Sequence, residues 1–345
     1  MKGRTRARIV ALASSLAFAA IYALVASSDP MGALYAFFVN PFVNSYAFYS
    51  LLESSASLLC CALGAGLAFR AGAFNLGGEG QAAVGTLAAA LVALGCADRG
   101  LSGAPAICAA IVAAALAGGA LALLSAVAEE KTGAQVMLTS FLFGQAAIIG
   151  VNWAVGGPLK DPSANLLGMA AIPEGLRLPL LAPPSPLSLA FPISLVLAAA
   201  VIFFTRGTRA GVEQRLLGKN RLFARAAGIS PQIGAWSMVA SGALAGIGGS
   251  FLVLGQTGRA VKDMTGGIGW NGLAVALIAG SDGLGALPAA LFFAWLDSGA
   301  RQASILADLS PDASAVMKGI ALLLITAASL GSRSRAKALH AKGKA

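Results

Sequence analysis

Long apolar stretches dominate the sequence and restrict its fold more than any other feature. Eight of them are close to the roughly 20 helical residues that cross a hydrocarbon core about 30 Å thick. They cover 8–27, 46–69, 80–97, 104–128, 134–155, 186–205, 233–255 and 314–331. Only 11% of the 345 residues are charged, whereas a soluble domain carries about a quarter. The sequence therefore predicts an all-α integral membrane protein, with a single transmembrane domain over 1–345.

Two shorter apolar pieces, 269–280 and 285–298, lie between the seventh and eighth stretches. Short hydrophobic segments interrupted by glycine are typical of the broken helices of transporters. Two separate helices here give about ten crossings, and one re-entrant hairpin gives eight. We predict ten.

Basic residues indicate how the spans are oriented. They cluster at the N-terminus, over 206–225 and after 333, and such clusters mark cytoplasmic segments. Ten crossings then place the tails 1–8 and 332–345 and the loop 206–232 in the cytoplasm, and 156–185 outside. Residues 1–27 also fit a signal peptide, but the length of their apolar run and the many later spans favour a retained helix.

The sequence lacks the residues that several classes of functional site require. The one histidine, His340, lies in the basic tail, and the four cysteines lack metal-ligand spacing. The sequence has no G-x-x-x-x-G-K-[ST] loop. We therefore expect no enzyme activity, cofactor or metal in this chain. The basic clusters are not backed by a nucleic-acid fold signature, so we expect membrane lipid and no nucleic acid as a partner.

The segment "FRAGAFNLGGEGQAA" (69–83) places polar residues and glycines between two apolar stretches. Irregular backbone at membrane depth survives only inside protein or along a cavity. Asn75, Glu79 and Gln81 can therefore bind backbone groups or a solute. The alternative is an ordinary cytoplasmic turn.

The basic loop 207–232 predicts two short helices. Val212–Leu217 forms the first and ends at Gly218. Asn220 is a good N-cap for the second, Arg221–Ala227, and Gly228 suits its C′ position. Such a helix can dock on a soluble partner or rest on anionic lipid.

Two further segments are rich in glycine. The small residues of "SGALAGIGG" (241–249) predict close helix packing. Trp270 and Asn271 open the first short piece, where Trp270 is either a functional residue or an interfacial anchor. Asp282 lies between the two pieces, and Asp297 ends the second.

Together these segments resemble the permease subunits of ABC importers of the ribose and branched-chain amino-acid class, nearest to its nucleoside and simple-sugar branch. The family pattern A-F-R-x-G-x-F-N-I-G-x-E-G-Q stands here as "AFRAGAFNLGGEGQ" (68–81). "GWNGLAVALIAG" (269–280) and the external "GPLKDP" (157–162) also match. In the loop, Leu216 and Phe223 depart from the usual small residues. The resemblance covers about 35–330.

This resemblance implies a type II, vitamin B12-type permease fold in a bacterial cytoplasmic membrane. It implies a second permease, a periplasmic or lipid-anchored binding protein, and a cytoplasmic ATPase that carries ATP and Mg. The translocation path and inner gate would include Phe74, Asn75, Glu79, Gln81, Trp270 and Asn271. The ATPase would couple through Arg215, Gly218, Asn220, Arg221, Ala224, Ala227 and Gly228.

The resemblance implies a small heterocyclic solute, with a purine nucleoside first and riboflavin or a simple sugar as alternatives. An ion-coupled secondary transporter is the alternative of another class. It would use intramembrane acids, for which Glu53, Glu79 and Asp297 are the candidates.

Overall fold

The computed structural model describes residues 2–280, 283–310, 312–320 and 323. Every regular element within these ranges is helical. The predicted tail 332–345, Asp282 and the end of the span 314–331 lie outside the described residues; 313–320 is helical. Contacts divide the chain into two units, Met1–Leu51 with Phe292–Ala345, and Leu52–Leu291.

Thirteen α-helices are numbered here in chain order over the described residues. They are α1 (Lys2–Ala26), α2 (Pro30–Phe38), α3 (Asn40–Val43), α4 (Ser45–Arg70), α5 (Gly78–Ala97), α6 (Ala104–Thr132), α7 (Val136–Gly156), α8 (Ala190–Gly207), α9 (Arg209–Lys219), α10 (Arg221–Ala226), α11 (Gln232–Phe251), α12 (Ile268–Ala279) and α13 (Ala286–Ala307). A π-helix, Leu252–Thr257, continues α11.

Six of these helices are long and apolar enough to cross a membrane: α4, α5, α6, α7, α8 and α11 with its π extension. Their bounds match the sequence prediction to within about four residues. The short α2 and α3 were not predicted. The second short piece is longer than the predicted 285–298, because α13 continues past Asp297 through Arg301 to Ala307. Apolar patterning ends at these charged residues, whereas the helix does not.

Small residues hold the core of the Leu52–Leu291 unit together. A Cβ added to Gly242 of α11 would overlap the backbone of Gly118 in α6, and one added to Gly80 of α5 would overlap that of Gly144 in α7. Lipid gives little hydrophobic drive for one helix to bind another, so close backbone contact takes its place. The predicted packing role of 241–249 is therefore confirmed.

The segment between α7 and α8 is irregular and pairs with the chain that follows α11. Met169 N donates to Ala260 O at 2.8 Å, and Ile172 N donates to Gly258 O at 2.8 Å. Within this segment, the Asp161 carboxylate accepts hydrogen bonds from the Oγ and from the backbone N of Ser163. These hydrogen bonds lower the pKa of the Asp161 carboxyl below its usual range.

The unit formed by the two chain ends has its own apolar core. Phe37 of α2 and Leu296 of α13 are almost fully buried in it, with Met317 of the segment 313–320. Asp297 forms an ion pair with Lys318 at 2.8 Å. Asn40 donates to Gln302 at 2.8 Å. Polar side chains in these apolar helices thus bind one another.

Candidate translocation and coupling site

The segment 69–83 begins with a sharp turn and then passes through the protein interior. α4 ends at Arg70, and Gly72 has a φ of 78° that favours glycine. Residues 73–77 have no regular structure before α5 begins at Gly78. Leu76 N donates to Ser140 Oγ of α7 at 3.0 Å. The second half of the segment is therefore enclosed by helices and is not an exposed turn.

Asn75 is the centre of a buried hydrogen-bond network and is only 3% exposed. Its Nδ2 donates to Gln81 Oε1 and to Ser241 Oγ, both at 2.9 Å. Its Oδ1 accepts from Gly77 N at 3.0 Å and from Gln81 Nε2 at 3.1 Å. All the hydrogen-bonding capacity of this amide is used within the protein, so Asn75 holds the bend.

The Glu79 side chain is bound to the start of α12 and does not point into an open cavity. Its carboxylate accepts from Gly267 N at 2.9 Å and from Gly269 N at 2.6 Å. These N–H groups belong to the N-terminus of α12, where the helix has no backbone acceptors and where a negative charge is favourable. A Cβ at Gly269 would overlap the backbone of Glu79. Glu79 therefore joins the 69–83 segment to α12.

The three other predicted path residues have more accessible side chains. Phe74 is 38% exposed and stacks on Phe69 with ring centres 4.5 Å apart. Trp270 is 37% exposed and lies against Phe141 of α7 at 6.1 Å. Asn271 is half-buried. The predicted set therefore separates into a buried group that holds backbone and an accessible group that a solute could touch.

The basic loop 207–232, which is the predicted coupling loop, forms the two helices α9 and α10. α9 is longer than the predicted Val212–Leu217: it begins at Arg209, with the Thr208 side chain as N-cap, and continues through Gly218 to Lys219. The prediction that Gly218 ends this helix was wrong. A single glycine lowers the stability of a helix only slightly, and tertiary packing then decides whether the helix continues through it.

The ends of α10 follow the sequence prediction. Asn220 Oδ1 accepts from Phe223 N at 3.0 Å, which is an N-cap. Gly228 has a φ of 74°, and Ile229 N donates to Ala224 O at 2.9 Å. This pattern is a Schellman motif, and Ala224 and Ile229 are both buried beside Leu217.

α9 is fixed directly to the 69–83 segment. A Cβ at Gly218 would overlap the carbonyl oxygen of Arg70, and Gly72 packs on Gly218. The buried Gln214 donates to Leu67 O at 3.2 Å and to Ser237 Oγ at 2.9 Å. A movement of α9 would therefore displace the C-terminal end of α4.

The outer side of α10 is accessible. Leu222 is 78% exposed and Phe223 is 57% exposed. Arg215 is exposed, as is Ala227. Arg221 lies 3.5 Å from Glu129 of α6, an ion pair in which the arginine side chain is 59% exposed. Such exposed pairs contribute little stability.

Several polar partners were missed by sequence reasoning. Ser140 and Ser241 complete the Asn75 network, but a serine in an apolar helix gives no sign of which group its hydroxyl will meet. Glu53 is 1% exposed and accepts from Ser188 N and Ser188 Oγ, both at 2.8 Å. The glutamate was noticed, but its partner lies 135 positions away in sequence.

Comparison with known proteins identifies the class. Residues 47–326 match the family described as the permease component of the branched-chain amino acid transport system. The chain belongs to this permease family, as the four sequence segments indicated.

Three relatives have names that describe more particular roles. The chain is 31% identical to the probable riboflavin import permease of Treponema pallidum, covering 88% of this chain and 80% of the relative. It is 26% identical to the glucose ABC transporter permease of Haloferax volcanii, covering 86% and 80%. It is 27% identical to the guanosine ABC transporter permease of Bacillus subtilis, covering 92% and 91%.

Proposed function

We propose that this chain is the membrane permease subunit of an ATP-driven importer of a small neutral heterocyclic solute. One observation carries the proposal: an unbroken series of contacts links the coupling helices to α12. Gly218 packs on Gly72, Asn75 fixes the bend that follows, and Glu79 binds the N-terminus of α12. A displacement of α9 and α10 would therefore be transmitted through these contacts to α12, which is part of the proposed inner gate.

The proposal includes the predicted topology. Ten crossings of the type II fold, with both termini in the cytoplasm of a bacterial inner membrane, put α9 and α10 on the cytoplasmic side. α12 has 12 residues and is about 18 Å long at 1.5 Å per residue. The irregular chain that precedes α12 would complete the remaining depth of that crossing.

The partners follow from this arrangement. The ATPase is a separate cytoplasmic chain that holds ATP and Mg and receives the exposed Leu222 and Phe223. A second permease, identical or homologous, completes the pore, and an external binding protein delivers the solute. Nucleotide and loaded binding protein favour different pore states, and the contacts from α9 to α12 link the two preferences.

The solute is a nucleoside or riboflavin, with the nucleoside first and a simple sugar as the remaining alternative. Relatives named for riboflavin, glucose and guanosine support these candidates as a group and do not rank them. The three acids considered for an ion-coupled secondary transporter all have partners in the protein. Together with the family match, this removes the basis for that alternative.

Uptake of labelled guanosine, riboflavin and glucose tests the proposal. The chain is expressed with its ATPase and binding protein in a host that lacks these importers. We expect uptake of one solute, lost when the phosphate-binding lysine of the ATPase is replaced. Uptake that persists without ATP hydrolysis would contradict the proposal.

A further inference from the structure

One face of α9 packs on the ends of neighbouring helices. Gly211, Gln214 and Gly218 are spaced three and four residues apart, which places them on one side of the helix. A Cβ at Gly211 would overlap the carbonyl oxygen of Phe204 in α8, and one at Gly218 would overlap that of Arg70 in α4. Gln214 lies between these two close contacts and is only 1% exposed. The packing of α9 therefore encloses a polar side chain.

The hydrogen bonds of Gln214 determine which way its amide points. Leu67 O can only accept, so it receives one N–H of Gln214 Nε2, at 3.2 Å. Ser237 Oγ donates its own proton to Ile233 O at 2.6 Å, so it accepts the second N–H of Nε2, at 2.9 Å. Both donors of the amide are used in this way. The amide oxygen, Oε1, is buried and has no hydrogen-bond partner in the described part of the chain.

The unpaired Oε1 makes this arrangement of the helices less favourable for the amide. A buried acceptor without a partner has lost the hydrogen bond that it makes with water. An apolar side chain of the same length would leave neither neighbour unpaired. Leu67 O also accepts from Ala71 N at 3.3 Å, and the Ser237 hydroxyl still donates to Ile233 O. The amide of Gln214 therefore favours any second arrangement that gives Oε1 a donor.

We propose that Gln214 is a positioning residue that allows α9 to leave its contact with α4 and α11 during the transport cycle. In the arrangement described here, two hydrogen bonds hold α9, and the unpaired Oε1 lowers the free energy needed to release it. When α9 separates from α4, water reaches the amide and Oε1 gains a partner. The two arrangements then differ little in free energy, so ATPase binding can change their populations. This inference rests on the proposed importer function.

The first test is Gln214→Met, because methionine is unbranched and brings no polar group that needs a partner. Gln232→Met is the matched control, at an exposed position at the start of α11. Thermal unfolding is measured on the purified permease, and uptake of guanosine and riboflavin on the complete importer. We expect Gln214→Met to keep or raise the unfolding midpoint and to retain the ATPase, yet to lower uptake about tenfold by trapping one arrangement. Gln232→Met should match the wild type in both measurements.

The two measurements together separate this role from a structural one. A lower midpoint for Gln214→Met, or a failure to assemble, would show that the amide only holds the fold and would overturn the proposal. Normal uptake by Gln214→Met would overturn it as well. Absence of uptake by the wild type would instead contradict the proposed function.

The release of α9 can also be followed directly at Ser237, which is 6% exposed beside Gln214. Ser237→Cys is introduced into a chain that lacks Cys96 and Cys108, the two cysteines that are not buried. Reaction of a thiol reagent at position 237 is measured in the complete importer in lipid discs, with and without ATP. We expect the reaction to be about threefold faster during ATP turnover, and Gln214→Met to remove this increase. Equal rates with and without ATP would overturn the proposal.

Discussion

At the scale of single residues, the acids within the apolar helices are the informative group. An intramembrane carboxylate usually marks an ion or proton pathway. Here Glu53 binds Ser188, Glu79 binds the start of α12, and Asp297 pairs with Lys318. Each of these carboxylates holds two distant parts of the chain together, and for Glu79 the joined elements include the proposed gate.

Replacement of Glu79 tests that role. Glu79→Ala leaves Gly267 N and Gly269 N without their acceptor, and hydrogen bonds to a charged group contribute about 1.5–3 kcal/mol. We expect uptake to fall at least tenfold while the importer still assembles. Glu130→Ala, at an exposed position on α6, is the matched control and should transport normally. Normal uptake by Glu79→Ala would show that the contact between Glu79 and α12 is not needed for transport.

Asn75 makes a prediction about stability. Asn75→Ala removes four hydrogen bonds and leaves Gln81 and Ser241 unpaired in the interior. Each buried polar group left unpaired costs about 1–3 kcal/mol. We expect a lower thermal unfolding midpoint for the purified protein, whereas Asn165→Ala, at an exposed position in the irregular segment between α7 and α8, should not change it. Equal midpoints for the two variants would contradict the network.

These residues also show what sequence reasoning can and cannot provide. The pattern "AFRAGAFNLGGEGQ" identified Asn75 and Glu79 because polar groups at membrane depth need a reason. The pattern could not identify the partners of these two residues, because Ser241 and Gly269 are more than 160 positions away in sequence. Which of two roles a buried amide has depends on such tertiary contacts.

At the scale of elements, α9 and α10 illustrate a division between local and tertiary control. The caps of α10 were predictable because they involve neighbours in sequence, Asn220 with Phe223 and Gly228 with Arg225. The length of α9 was not, because Gly218 is retained in the helix by its packing on Arg70 and Gly72.

The C-terminal turn of α10 gives a prediction about ATPase docking. Gly228→Pro requires a φ near −65° where the structure has 74°, and it removes the N–H that donates to Arg225 O. We expect less ATPase to co-purify with the permease. Gly100→Pro is the control, because Gly100 has a φ of 68° in a turn between α5 and α6, far in sequence from the coupling loop. Equal ATPase recovery from both variants would contradict the docking role.

The contact between α9 and the end of α4 gives a second prediction at this scale. Gly218→Ala forces the two backbones apart, and overpacking costs about 1–3 kcal/mol. We expect uptake to fall while the ATPase still binds, because the proposed docking helix α10 is unchanged. Gly234→Ala adds the same methyl group at ordinary contact distance from Leu217 and should transport normally. Loss of ATPase binding in Gly218→Ala would show a docking defect instead.

At the scale of the whole molecule, the length of the apolar stretches predicted the long helices. It failed to predict helix bounds where charged residues interrupt a stretch or where the helix is short. The six candidate spans follow the predicted ranges closely. α13 was predicted to end near Asp297 but continues ten residues further, to Ala307. Hydropathy measures each residue alone, whereas the Asp297–Lys318 pair satisfies two charges together.

The orientation of the chain can be tested with single cysteines. The background lacks Cys96 and Cys108, the two cysteines that are not buried. Asn165→Cys reports on the external segment, and Arg225→Cys reports on the coupling loop. A thiol reagent that does not cross membranes should label the first in intact cells and the second only after the membrane is opened. Labelling of both from the same side would contradict the proposed topology.

The shortness of α12 has a consequence for how the protein is made. A segment of 12 residues is too short to partition into the bilayer as an independent span during synthesis. Its N-terminus is bound by Glu79, which leaves the ribosome about 190 residues earlier. α12 must therefore wait for helices that are already inserted to receive it. Variants at position 79 would then reduce the yield of correctly inserted chain during biogenesis, in addition to any effect on transport.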